Sequence, residues 1–411
     1  MNWRLTTLVW SLPFLVAACS NFEKDPPAIP NSSQFTQIDT SFGGSGVATI
    51  AFNGAMHQML PLTDDSILLS GTENSSGTMQ YDIFHILSSG SMDTSFGTAG
   101  KVTTSLTTGK GFDVQSTGKI VVAGVNAGGK YSVIRLNTDG SADTTFGTAG
   151  ETLLESIYLP DVFTIGAIAV QADDKILVAG SSIIGSADPV FSVTRLLADG
   201  TADAVFGNVD AAPGAGFSQN LTHLLVQTSG DYVIGGTSCQ KPTTDPLCGF
   251  ILMRYSATGS PDTAFGTSGV LSTGATSAGT LSEQSTGAIL LGASLGGFNA
   301  VLRYTTAGAL DSTFAVGGQL NAPGTRFAVD LYDNVIVQGL SYVNSMTLTR
   351  YTYYGTLDST FVNVGLASPL STLSAPASVG IDTTGRLLVA GMAGDFNGAS
   401  TLGWAIERFN P

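Results

Sequence analysis

The chain has 411 residues, of which 51 are glycine and only 11% are charged, and its net charge is −15. Such an acidic surface repels phosphate backbones and argues against a nucleic-acid partner. Gly, Ser and Thr in abundance, without long charged helical patterns, favour short strands and tight turns, in one large all-β unit or in two to three ordinary domains.

The N-terminus, MNWRLTTLVWSLPFLVAACSN, places Arg4 ahead of an apolar stretch from Leu5 to Ala18. The stretch is too short to span a bilayer as a mature helix and reads as a secretion signal, residues 1–18. Its end, LVAAC at 15–19, resembles the lipobox of bacterial lipoproteins. That resemblance implies cleavage before Cys19, a diacylglyceryl group on its sulfur and a further acyl chain on its new N-terminus. Two or three chains anchor stably where one does not. A plain signal peptide cut near Ala18 is the simpler alternative. Ser20, not Asp, follows the cysteine, and by resemblance to sorting in diderm bacteria this points to the outer membrane. The expected location is therefore the bacterial cell envelope, with the membrane met through the lipid. Residues 19–37 are polar and Pro-rich and read as a flexible tether.

From residue 38 onward one unit is written seven times. A first word recurs as IDTSFGGSG, MDTSFGTAG, ADTTFGTAG, ADAVFGNVD, PDTAFGTSG, LDSTFAVGG and LDSTFVNVG. Its aspartates are Asp39, Asp93, Asp143, Asp203, Asp262, Asp311 and Asp358. Three residues after each comes a phenylalanine: Phe42, Phe96, Phe146, Phe206, Phe265, Phe314 and Phe361. A second word puts Arg135, Arg195, Arg254, Arg303 and Arg350 eight residues before the aspartate, with His85 in the first copy. A third word is an apolar run after a turn, such as TGKIVVAG and DDKILVAG.

Each unit reads as four strands bounded by Gly, Asp, Asn and Ser turns. In the second unit these are predicted near 111–115, 120–124, 131–137 and 151–154. Units of about 50 residues with four strands, seven in number, predict a seven-bladed β-propeller over 38–411. The chain ends at WAIERFNP, the second word cut off after Arg408, and begins with a first word lacking its preceding strand. The ring is therefore expected to close by pairing 46–50 beside 404–409.

The three words resemble those of the delta-60 repeat family of bacterial envelope proteins, over about nine-tenths of the chain. The resemblance implies a propeller and brings no established reaction and no catalytic residue. Departures from the pattern are Ala315 and Val362 for the first motif glycine, Asp210 for the second, and His85 for the arginine.

A residue present in every unit reads as scaffold. The motif aspartate can cap backbone N–H groups two or three residues on. The phenylalanine can fill the space between blades, and the arginine can pair with an aspartate and fix register. A ring of seven carboxylates holding a cation is the weaker reading. Cys239 and Cys248 flank a polar insertion and are expected to form a disulfide in an oxidising envelope, with no further ligand for zinc. GASLG at 292–296 matches a nucleophile-elbow pattern, but a β-run follows Ser294 instead of a helix. His57, His85 and His223 are isolated, and Asp64–Asp65 and Asp173–Asp174 read as solvated turn carboxylates. No metal, no cofactor and no catalytic residue is expected, and a monomer is. The expected function is a non-catalytic binding or scaffold surface for a protein, glycan or small ligand. The competing reading is a propeller enzyme, a lyase or glycan hydrolase, with its site at the channel mouth.

Overall fold

A computed structural model describes residues 38–75, 77–154, 162–183, 188–211, 217–240, 248–340, 346–361, 373–393 and 403–410. The signal at 1–18, Cys19, the tether and Val362 lie outside them. The described residues form seven antiparallel sheets, and no helix is present among them. This is the seven-bladed β-propeller that the repeats predict.

Blade one holds Gly54–Pro61, Ile67–Ser75, Thr78–Ile86 and Lys101–Thr103. Blade two holds Leu106–Val114, Ile120–Asn126, Tyr131–Leu136 and Glu151–Leu153. Blades three, four and five repeat the pattern from Val162–Val170, Phe217–Val226 and Ser277–Glu283 outward. Three strands of blade six are described, beginning at Arg326–Val329. In blade two the second to fourth strands fall close to expectation, but the first starts five residues earlier than predicted. Its segment TTGKG carries no alternating apolar pattern, and register shifts at Leu106/Thr108 and Gly109/Gly111 bend it.

Blade seven closes the ring. Leu373–Ile381, Leu387–Ala393 and Gly403–Phe409 are joined by Val47–Ile50 from the other end of the chain. The pairing runs from Val47↔Glu407 to Ile50↔Trp404. Trp404 is fully buried, packs edge-on to Phe52 at 4.4 Å, and its Nε1 donates to the Gly54 carbonyl at 2.9 Å.

The core is seven clusters, not one. Each lies at a seam between neighbouring blades and contains one motif phenylalanine: Phe96 between blades one and two, Phe146 between two and three, Phe42 at the closing seam. Because neighbours cover both faces of a blade, second strands such as Ile120–Gly124 are buried without interruption.

The two ends of the ring differ. The turns between first and second strands hold five residues in every blade: 62–66, 115–119, 171–175, 227–231, 284–288, 330–334 and 382–386. The links between second and third strands emerge at the opposite end and vary from two residues (76–77) to nine (394–402). Deleting Trp404–Pro411 removes the partner of Val47–Ile50 and uncovers the closing seam. Denaturant unfolding of that truncation is expected to be broad and shifted to low denaturant, and a transition as sharp as the full ring's would overturn the closure account.

Candidate functional site

Each motif aspartate sits at a seam, and the seam between blades two and three shows the design. Asp143 Oδ1 accepts from the Thr145 N–H at 3.1 Å and from its hydroxyl at 2.6 Å, which shapes the turn. Oδ2 accepts from Arg135 Nε and Lys119 Nζ, both at 2.7 Å. The Arg135 guanidinium lies 4.7 Å from the ring centre of Phe146, a cation–π contact. Its Nη1 donates to Gln115 Oε1 at 3.0 Å and to the Ala198 carbonyl of blade three. Gly147 N–H then donates to the Asp199 carbonyl of that blade at 2.8 Å.

The same arrangement recurs. Arg195, Arg254, Arg303 and Arg350 meet Asp203, Asp262, Asp311 and Asp358 and stack over Phe206, Phe265, Phe314 and Phe361. Arg408 Nε reaches Asp39 Oδ2 at 2.8 Å and stacks over Phe42, so this joint ties the two ends of the chain. Where the first copy has histidine, His85 keeps the role: Nδ1 meets Asp93 at 2.8 Å and Nε2 meets the Ser66 hydroxyl at 2.9 Å. Ala315 takes the motif glycine's left-handed backbone at φ 47.

A second set of clips joins the five-residue turns. Asp174, at φ 63, accepts from the Ser116 N–H at 2.6 Å and from its hydroxyl at 2.5 Å. Asp333 receives Ser285 in the same way, and Asp65 receives Thr383 and Arg386. Asp65 and Asp174 are thus inter-blade acceptors, which the sequence reading as solvated turn carboxylates missed. Their partners come from another blade and leave no local trace.

Burial and bonding pull the carboxyls in opposite directions. At Asp143 burial pushes the pKa up, and the bonds from Lys119, Thr145 and Arg135 more than offset it, holding it well below the ordinary range. At Asp262 the Arg254 bond leads, and at Asp93 the Ser95 hydroxyl leads. Asp39, Asp203, Asp311 and Asp358 are held low as well: burial opposes this in each, and neighbouring hydroxyl, arginine or backbone N–H donors outweigh it.

The first strands line the central channel. His57 belongs to blade one, where Nε2 meets the Thr72 hydroxyl at 2.7 Å, and burial with nearby Lys110 pushes its pKa down. His223 belongs to blade four and donates Nε2–H to the Gly279 carbonyl at 3.1 Å, with its pKa lowered by burial. Three blade steps separate these histidines. Asp113 accepts from the Val114 and Val170 N–H groups at 2.8 and 2.7 Å and stitches blade two to blade three. Ser294 ends a strand and a hairpin follows it. Among the described residues no three His, Cys, Asp or Glu side chains gather as a metal site requires. Cys239 and Cys248 face each other across two strands and are disulfide-bonded. Asp210 lies in the outer strand of blade three and accepts from Asn208 at 2.9 Å and Ser182 at 3.3 Å.

Two cavities lie at seams. One of about 490 Å³ is lined by Gly147, Glu151, Thr152 and Gly200 of blades two and three. The other, of about 460 Å³ between blades four and five, is lined by Gln227, Asp231, Arg254, Glu283 and Thr286, and there the bonding of the joint differs. Glu283 breaks none of the three words and does not stand out in the sequence. Its signal is positional. In the other blades the residue before the turn is Pro61, Val114, Val170, Val226, Val329 or Ile381.

Two stretches of the chain, 115–146 and 171–206, match a family model described as a domain of unknown function (DUF5122) beta-propeller. No curated protein matches the chain. Among solved structures, polysaccharide lyase Uly1 is similar at 10% identity, covering 88% of this chain and 90% of that one with a TM-score of 0.50. Extracellular domains 1-2 of Drosophila Semaphorin 1a align at 8% identity over 88% and 87%, with a TM-score of 0.48. A protein of unknown function from Bacteroides caccae aligns at 12% identity over 68% and 90%, with a TM-score of 0.40. At such identities the likeness is one of fold.

Two measurements test the joints. Unfolded carboxyls titrate near pH 4, above the folded motif aspartates, so on acidification the unfolded chain takes up protons first. Stability from these groups is expected to be full above about pH 5 and to fall away below about pH 4, which urea unfolding across that range checks. Arg303, fully buried, holds Asp311 and the Tyr353 carbonyl. Arg303→Met is expected to lose about 3 kcal/mol in the same assay at pH 7. The Cys239–Cys248 bond closes only a short loop, and reducing it is expected to cost roughly 2–3 kcal/mol at most in the same assay.

Proposed function

We propose that the protein is a lipid-anchored, non-catalytic binding propeller of the bacterial envelope. One observation carries the non-catalytic part: the charged side chains that recur in every unit are engaged in holding blades together. Asp, Arg and Phe of the repeated words bond or stack on one another and on the next blade's turn. The displayed surface is then the end of the ring where link lengths vary, since connecting segments that differ in length on a fixed scaffold are where recognition is built. The disulfide-bonded pair at the base of 239–248 pins one of those links.

The lipobox-like LVAAC, followed by the Pro-rich tether, supports anchoring at Cys19 with the ring held off the lipid. Fractionating cells that express the wild type and Cys19→Ser tests the anchor: the wild type is expected with membranes and the variant in the soluble envelope fraction. Retention of the variant in membranes overturns lipid anchoring. Photo-cross-linking tests the face. A benzophenone side chain at Phe298, on the variable end, is expected to give envelope adducts, and one at Val205, exposed among the constant turns, is not. The reverse pattern overturns the choice of face.

A further inference from the structure

Three seams share one closed lock. Between blades two and three, three and four, and five and six, a glutamine at the head of the five-residue turn accepts from the arginine Nη1. These are Gln115–Arg135 at 3.0 Å, Gln171–Arg195 at 3.3 Å and Gln284–Arg303 at 3.4 Å. The same Nη1 also donates to the next blade's turn carbonyl, at Ala198, Ala257 and Tyr353.

The seam between blades four and five has the same two residues, Gln227 and Arg254, but a different set of bonds. Gln227 Nε2 donates to Glu283 Oε1 at 2.9 Å, and Glu283 Oε2 accepts from the Thr228 N–H at 2.8 Å. Arg254 keeps Asp262 through Nε at 2.9 Å and Nη2 at 2.6 Å, while its Nη1 makes neither of the bonds its counterparts make. Its side chain is 14% exposed, against 8% for Arg135 and 0% for Arg303. Gln227 is only 5% exposed, yet its Oε1 has no hydrogen-bond partner, and the buried Thr286 hydroxyl has none either. Both residues line the cavity of about 460 Å³.

A buried polar atom left without a partner costs about 1–3 kcal/mol. Two such atoms in the wall of one cavity, at the one seam where Glu283 replaces an apolar residue, are what a ligand site looks like before its ligand arrives. We propose that this opened seam binds a neutral, hydroxyl-rich ligand: a saccharide unit. A sugar hydroxyl both donates and accepts, and so can satisfy Gln227 Oε1, Arg254 Nη1 and the Thr286 hydroxyl in turn. Charge selects against anions, because Asp262 neutralises Arg254 while Glu283 and Asp231 add negative charge. It selects weakly for cations, because both Glu283 oxygens already accept from amide N–H groups. The volume lies in the range that holds small ligands.

The site goes beyond the display role proposed above. It lies among the constant turns, at the opposite end from the variable links, so either proposal can fail alone. Titration calorimetry of the purified full-length protein with maltose, cellobiose and N,N′-diacetylchitobiose tests it, with galacturonate and glucosamine as charged arms. At least one neutral sugar is expected to saturate and to bind more tightly than either charged one. Glu283→Val restores the residue found in most other blades and frees Gln227 to close on Arg254. It is expected to weaken that sugar about tenfold or more while the melting temperature holds or rises. Thr286→Val, which removes only the hydroxyl, is expected to weaken it several-fold. Three results overturn the proposal: no neutral sugar saturates, a charged arm binds more tightly, or the Glu283→Val protein binds as the wild type does.

Discussion

The ring depends on a buried guanidinium at six of its seven seams, with His85 in that place at the seventh. In the closed locks each arginine bonds an aspartate of its own blade, stacks on the phenylalanine three residues further on, and reaches a carbonyl of the next blade. Only a planar, permanently charged group with five donors can do all three, and lysine cannot replace it. Such a pair adds little net stability, because both charges must be desolvated. Its effect is geometric: breaking it strands a buried charge, so a blade has one angle at which it meets its neighbour without that loss. The apolar clusters drive burial, and the guanidinium sets where burial stops.

A propeller built this way has no independent blade. Each sheet is covered on both faces by its neighbours, so its apolar surface is satisfied only inside the ring. Outer edges are the remaining weakness, and they are kept short. Lys101–Thr103, Glu151–Leu153 and Val270–Ser272 span three residues each, which offers little for another chain to pair with. Closure then requires joining the two ends of the chain, where the Asp39–Arg408 bond forms the same lock from residues that are neighbours in every other unit.

The blade count, the strand order and the closing strand were legible because repetition turns weak local signals into a strong one. The joint was legible too, as spacing: Arg eight residues before Asp, Phe three after. What escaped were relations between units. Asp174 looks like any turn carboxylate until Ser116 of another blade is seen to donate to it. His85 breaks the second word, yet it bonds Asp93 and Ser66 within its blade and packs on Phe96 at the seam. Glu283 breaks no word, since it precedes the turn in a half-buried strand, and yet it takes the bond of Gln227 and lines a cavity. Conspicuous departures were absorbed by the scaffold, and an inconspicuous one was not.

The difference between the two ends of the ring follows from the same constraint. At the constant end three pairs of neighbouring turns are clipped together, through Ser116 on Asp174, Ser285 on Asp333 and Thr383 on Asp65. Adding or removing one residue in a clipped five-residue turn would carry donor past acceptor, which fits their constant length. Links at the other end vary from two residues to nine. Within the five-residue turns and the strand ends beside them, variation takes the form of one side chain exchanged for another on a common backbone. A carboxylate in place of valine is among the largest such exchanges in polarity, and at position 283 its amide-accepting oxygens draw Gln227 away from Arg254. One changed side chain thus goes with a rearranged lock at a single seam, which is the kind of change a repeated architecture can absorb because the other seams still hold the ring.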